Sequence, residues 1–148
     1  MKKEVIYQRA IGLLTRREHG ALELRSKLII KGAHEDELDE ILSQLQAKGY
    51  QSDARFVESY IRTQVLRKRG PNKIQFELTR LRIDKNLIDQ IMENLAIDWP
   101  SLALDAFNKK YNKKGSSPAD IKSQMNFLVQ RGFRQTDFKH ILKPNFKF

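Results

Sequence analysis

A shift of 50 residues, applied once and then again, superposes apolar positions along most of the chain. Whatever one such stretch folds into must therefore fold nearly three times over and be covered by copies of itself. Leu28, Leu78 and Leu128 coincide; so do Ala33, Ile83 and Phe133, then Leu38, Ile88 and Phe138, Ile41, Ile91 and Ile141, and Leu42, Met92 and Leu142. Gly32 and Gly132 match as well, with Arg82 in the place of glycine in the middle copy. Upstream, Ile6, Phe56 and Ala106 align, followed by Ile11, Ile61 and Tyr111. The register runs without a gap, and the third copy agrees least.

Within each copy the apolar spacing is helical. Leu24 and Leu28, then Leu38, Ile41, Leu42 and Leu45, recur at three and four residues, and nothing alternates with a period of two. Breakers fall where helices should meet, at Gly20, Gly32, Gly49, Gly70-Pro71, Pro100, the Gly-Ser-Ser-Pro of 115–118, and Gly132. Start signals agree: Ser52 or Asp53 caps a helix reaching about Leu66, Asp84 caps another, and Ser117, Pro118 and Asp120 read as cap, first helical residue and N3 acid. Each copy is thus predicted to hold three helices, a long one and two shorter ones. Units of this size are too small to be stable alone, and stacking is the remedy. The predicted fold is all-α, an elongated, curved array of three tandem three-helix repeats at 1–50, 51–98 and 99–148.

Charge follows the repeat. Residues 1–33 carry +5, 34–58 carry −5, 59–85 carry +6, 86–108 carry −4 and 109–148 carry +8, giving the net +10 of the 148-residue chain. Acids cluster near the third helices, as in HEDELDE at 34–40; cations cluster on the first and second helices and their joints. Stacking equivalent helices predicts a basic stripe along one face, the surface that a phosphate backbone selects. The densest stretch is 67–85, where Arg67, Lys68, Arg69, Lys73, Arg80, Arg82 and Lys85 are opposed only by Glu77 and Asp84. A plainer role for Arg67–Arg69, offsetting a helix dipole, is worth only some tenths of a kcal/mol (~0.3–1) and does not account for the continuation to Lys85.

Other features point away from catalysis. With no cysteine, three scattered histidines (His19, His34, His140) and no glycine-rich phosphate loop, the chain lacks the usual nucleophile, acid and base arrangements, and no enzyme activity, cofactor or metal is expected. The acids of HEDELDE read as a solvated face near a helix start. Trp99, in Asp98-Trp-Pro-Ser, reads as packing under a helix start rather than as a base-stacking platform. The tail KPNFKF interleaves Phe146 and Phe148 with lysines, and is read as an end packed on the last repeat or frayed from it. No apolar run approaches the ~18 residues of a membrane span, so a cytoplasmic protein without a membrane partner is expected.

Four stretches, RREHGALELRSKLIIKG (16–32), GYQSDARFVESYI (49–61), RGPNKIQFEL (69–78) and IDWPSLALDAFNKKY (97–111), resemble in order and spacing the RecX family of bacterial recombination regulators. The likeness covers nearly the whole chain. It implies tandem three-helix repeats, no catalytic activity, and binding as a monomer in the groove of the RecA–DNA filament. There the family blocks filament growth and lowers ATP hydrolysis, strand exchange and repressor cleavage. Carried over by position, Arg67, Lys68, Arg69 and Lys73 match the family's basic central segment, and Arg25, Lys27 and Lys31 occupy the corresponding helix of the first copy. With Arg62, Arg80, Arg82 and Lys85 these form the expected surface for the filament and for single- or double-stranded DNA, read through phosphates with little sequence specificity. Lys68 and Arg82 depart from the family pattern, each standing where glycine is usual. The rival reading is a stand-alone helical DNA-binding protein; against it, the third helices of the first two copies are acidic where a recognition helix is basic.

Overall fold

A computed structural model describes residues 2–111 and 117–142. Among them are nine helices and no strand: α1 Lys3–Arg16, α2 Ala21–Ile30, α3 Glu35–Ala47, α4 Asp53–Leu66, α5 Pro71–Arg80, α6 Lys85–Leu95, α7 Trp99–Lys110, α8 Pro118–Gln130 and α9 Gln135–Phe138. Three helices per copy is the arrangement the periodicity predicts. The third copy differs in its last member. α9 is a single turn, and beyond it the Ile141 N–H bonds the Phe138 carbonyl at 2.9 Å, a tighter turn than an α-helix. Phe138, Ile141 and Leu142 are nonetheless buried, as the repeat requires.

Helix starts follow the caps. The Ser117 hydroxyl accepts from the Asp120 N–H at 3.1 Å while the Asp120 carboxylate accepts from the Ser117 N–H at 3.3 Å, a reciprocal box that opens α8. The Ser52 hydroxyl accepts from the Arg55 N–H at 3.2 Å, and the Asp98 carboxylate accepts from the Ser101 N–H at 3.1 Å. Trp99, at the first position of α7, is buried under that start. The tail 143–148 lies outside the described residues.

Helix ends repeat one device. After α2, Gly32 (φ 104°) donates to the Ile29 carbonyl and Ala33 to the Leu28 carbonyl; after α8, Gly132 (φ 100°) and Phe133 do the same to Val129 and Leu128. These are Schellman closures, in which a left-handed residue ends the helix and the next side chain turns inward. Burial of Ala33, Ile83 and Phe133 explains why those three coincide in the repeat. Lys68 (φ 57°) ends α4 in the same way, its N–H on the Val65 carbonyl and that of Arg69 on the Gln64 carbonyl, and Arg82 (φ 60°) follows α5. The two positions that depart from the family's glycine thus keep the left-handed backbone that glycine adopts at little cost.

Two compact units share the chain, and the boundary passes through the middle repeat: Met1–Tyr60 with Thr79–Ile91, and Ile61–Leu78 with Met92–Phe148. The first unit buries Ile6, Ala10, Leu24, Leu28, Leu38, Ile41 and Leu45 among α1, α2 and α3. It is tied to the start of α4 by the Asp53 carboxylate, which accepts from the Ala21 N–H at 2.8 Å and from the Gln51 amide at 3.0 Å. The second unit buries Ile61, Ile74, Leu78, Ala103, Phe107, Leu128, Phe133 and Phe138. In it the α4–α5 joint lies directly on the α8–α9 joint, with the Gly70 N–H on the Arg131 carbonyl at 2.7 Å and the Asn72 N–H on the Gly132 carbonyl at 2.9 Å. A Cβ on Gly70 would fall 2.3 Å from the Gly132 carbonyl carbon, so only glycine permits this approach.

Candidate nucleic-acid interface

The cations of the first unit divide by what already neutralises them. Arg25 of α2 is paired with Asp39 of α3. Lys27 is drawn toward the protein, its Nζ 3.0 Å from His19 Nε2 and 3.9 Å from Glu23. His19 is buried, and its Nδ1 lies 3.1 Å from the Arg17 carbonyl. Burial holds its pKa below the ordinary imidazole range, outweighing the Arg17 carbonyl, so the neutral ring donates from Nδ1 and accepts the Lys27 ammonium at Nε2. Burial pulls the Glu23 carboxyl upward, but the Arg17 guanidinium, donating at 2.6 and 3.1 Å, more than offsets that and keeps it ionised.

Lys31, at the C-cap of α2, is exposed, as are Arg80, Arg82 and Lys85 at the α5–α6 joint. Within this unit Lys27, Arg80 and Arg82 line one cleft of about 300 Å³ together with the acid Glu23 and the apolar Leu22, Ile30 and Leu81. HEDELDE spans His34, the N-cap of α3, and its first two turns, where Asp39 and Glu40 pair with Arg25 and Lys3.

In the second unit Arg62 and Arg67 are exposed on α4 and at its end. Lys68 and Lys73 are half-buried, and the Lys73 backbone and Cβ press against Gly132. Arg69 turns inward, its Nη1 2.7 Å from the Gln64 side-chain oxygen and 3.9 Å from Glu77. Of the central basic segment, then, Arg67 and Lys68 face a cleft and Arg69 supports the joint. That cleft, also about 300 Å³, contains cations the sequence reading passed over: Lys109 and Lys110 at the end of α7 and Arg131 at the end of α8. The Arg131 guanidinium donates to the carbonyls of Arg67 and Lys68. Burial, and to a lesser extent the charge of Arg69, lower its pKa. A signal for Arg131 existed, since it precedes Gly132 as Lys31 precedes Gly32; Lys109 and Lys110 were visible only within the +8 of 109–148. No helix among the described residues is long and apolar enough to cross a membrane.

Comparison with known proteins places this geometry in a family. The RecX first three-helix domain matches residues 7–45 and the RecX second three-helix domain matches residues 52–92, within the first two repeats. A regulatory protein RecX of Legionella pneumophila is 38% identical over 93% of this chain and 92% of its own length. One from Haemophilus influenzae is 34% identical over 91% of each. The fold is shared with the crystal structure of RecX from Lactobacillus salivarius, at a TM-score of 0.76 and 24% identity, covering 94% of this chain and 93% of that one.

Proposed function

The chain belongs to the RecX family of regulatory proteins, and from that premise we propose that it binds in the groove of the RecA–DNA filament and restrains the recombinase. Its repeats at 1–50, 51–98 and 99–148 serve as the modules, and its cations meet DNA phosphates and acidic recombinase surface. Occupying the groove excludes a second duplex or a repressor, and bridging successive protomers resists the conformational cycle that ATP hydrolysis drives. The protein acts by occupancy and electrostatics, as a cytoplasmic monomer and without a catalytic step.

One observation supports this most. Lys68 and Arg82 occupy left-handed backbone where glycine relieves strain. A non-glycine residue there gives up ~1 kcal/mol or more. Cations kept at two strained turns, beside Arg67 at one and Arg80 and Lys85 at the other, point to contact with an anion.

The test reverses charge on three exposed side chains of the first unit. Arg80→Glu, Arg82→Glu and Lys85→Glu together are expected to abolish inhibition of RecA ATP hydrolysis on single-stranded DNA while helicity and thermal midpoint are retained. Undiminished inhibition by a folded triple variant refutes the assignment of that surface. Titration against preformed filaments and against naked duplex separates this function from that of a stand-alone DNA-binding protein, for which naked duplex would be preferred.

A further inference from the structure

We propose that the cleft between the ends of α4, α7 and α8 is a nucleoside phosphate site, with the phosphate held by Lys109, Lys110 and Arg131 and the base laid against Leu66 and Phe127. The filament reading is not a premise of this proposal, and the protein alone suffices to test it.

Three helices deliver their C-termini to the cleft, at Leu66, Lys110 and Gln130. Each end carries about −0.5 of an elementary charge, so the three together supply about −1.5. Five positive side chains line the same space, Arg67, Lys68, Lys109, Lys110 and Arg131, and among the described residues no acid does. The helix ends therefore balance less than a third of the charge, and the remainder calls for an anion from outside. Arg131 is held in place by the backbone carbonyls of Arg67 and Lys68, while Lys109 and Lys110 are exposed.

The rest of the lining says what the anion carries. Leu66 is 82% exposed and gives the cleft an apolar wall beside its cations. Phe127 is half-buried and fixed by the edge of Tyr111 at 5.7 Å. A bare phosphate would leave this apolar wall in water. At about 300 Å³ the space lies at the small end of ligand sites (roughly 300–1,000 Å³), suited to one nucleotide. That nucleotide is either free or the terminal unit of a single strand, since both present a phosphate beside an unpaired base.

The full ¹⁵N-labelled chain is titrated at fixed ionic strength with a nucleoside 5′-monophosphate, the unphosphorylated nucleoside, inorganic phosphate, and a trinucleotide with and without 5′-phosphate. Amide shifts are expected at 66–68, 109–110 and 127–131, with the nucleotide binding more tightly than phosphate or nucleoside. A trinucleotide that outcompetes the monophosphate identifies the strand end as the source; the reverse identifies the free nucleotide. Lys109→Glu with Lys110→Glu should weaken binding about tenfold or more, the loss of a charge-assisted hydrogen bond. Leu66→Ser, at an exposed position, should weaken it about threefold to tenfold through lost apolar contact. Lys122→Glu with Lys139→Glu, equal in charge and outside the cleft lining, should change it less than about twofold by screening at ~0.15 M salt. Equal loss in the control pair, phosphate binding as well as nucleotide, or tighter binding of a glutamate-rich aromatic peptide each overturns the proposal.

Discussion

Gly20 and Gly70 are 50 residues apart and open the same joint in successive repeats, yet alanine should be tolerated at one and not at the other. At Gly70 an added Cβ would lie 2.3 Å from the Gly132 carbonyl carbon, 2.4 Å from the Phe133 nitrogen and 2.5 Å from the Gly132 oxygen. All three are backbone atoms and cannot swing aside. The two joints must separate, and the bonds from the Gly70 and Asn72 N–H groups to the carbonyls of Arg131 and Gly132 are lost. Each stranded donor costs ~1–3 kcal/mol, against which alanine returns ~0.4–1 kcal/mol by restricting the unfolded chain. Gly70→Ala should therefore destabilise by about 3 kcal/mol, or about 6–12 °C in midpoint for a domain of this length. At Gly20 the added carbon would meet only the tip of Ile83 at 3.4 Å and the Phe56 ring at 3.5 Å, ordinary contact with side chains that can adjust. Gly20→Ala should stay within about 1 kcal/mol of the parent. Trp99, the only tryptophan, is buried in the second unit, so its fluorescence in urea follows the damaged region directly. A Gly70→Ala variant whose fluorescence midpoint matches that of Gly20→Ala would show that the joints do not touch as described.

Replacing Arg82 or Lys68 with glycine should raise the unfolding midpoint, by about 1 kcal/mol each, while lowering the slope of log K against log salt for DNA by about 0.7–0.9 per cation. If binding is unchanged, those cations do not meet phosphate. His19 makes stability pH-dependent: its folded pKa lies below the ordinary 6.5, so its contribution is complete above that value. As pH falls below about 6.5 the unfolded chain takes up the proton first, and stability declines until the folded ring titrates too. Urea midpoints from pH 8 to pH 5 should show this decline and His19→Gln should flatten it; an identical decline in the variant assigns the effect to other groups. Asp53→Ala leaves the Ala21 N–H without its 2.8 Å acceptor and should cost ~1–3 kcal/mol by thermal denaturation, with Asp53→Asn recovering part of it.

Much of the fold was legible because one physical requirement recurs three times. Ala33, Ile83 and Phe133 differ in size but each follows a left-handed residue that closes a helix, and each must turn inward. A period of 50 records that geometry whether the closing residue is glycine or arginine. The length of α9 was not legible, since Phe138, Ile141 and Leu142 keep the apolar pattern of a full helix while the backbone makes a tighter turn. Hydrophobic spacing specifies which side chains are buried and leaves open which of two local turns buries them.

The candidate site was legible in charge and much less so in direction. Arg67, Lys68 and Arg69 are adjacent and alike in sequence, and successive residues around a helix end point different ways. Arg67 and Lys68 reach a cleft; Arg69 reaches Gln64 and Glu77. Arg25 and Lys27 are likewise engaged by Asp39, Glu23 and His19, groups 4 to 14 residues away in sequence and adjacent only in the fold. Conversely, Arg131 joins Lys68 across 63 residues through backbone carbonyls, which no spacing rule reads. What the chain does reveal is where it accepts strain. A left-handed glycine at 82 or 68 would close the helix with less of it, as Gly32 and Gly132 do elsewhere; of the three non-glycine residues in left-handed backbone among the described residues, Lys68 and Arg82 carry charge and Ala96 does not. An arginine that only kept the protein soluble could sit on any exposed helical position at no such cost, which makes these two turns the sharpest places to test the proposed anion contact.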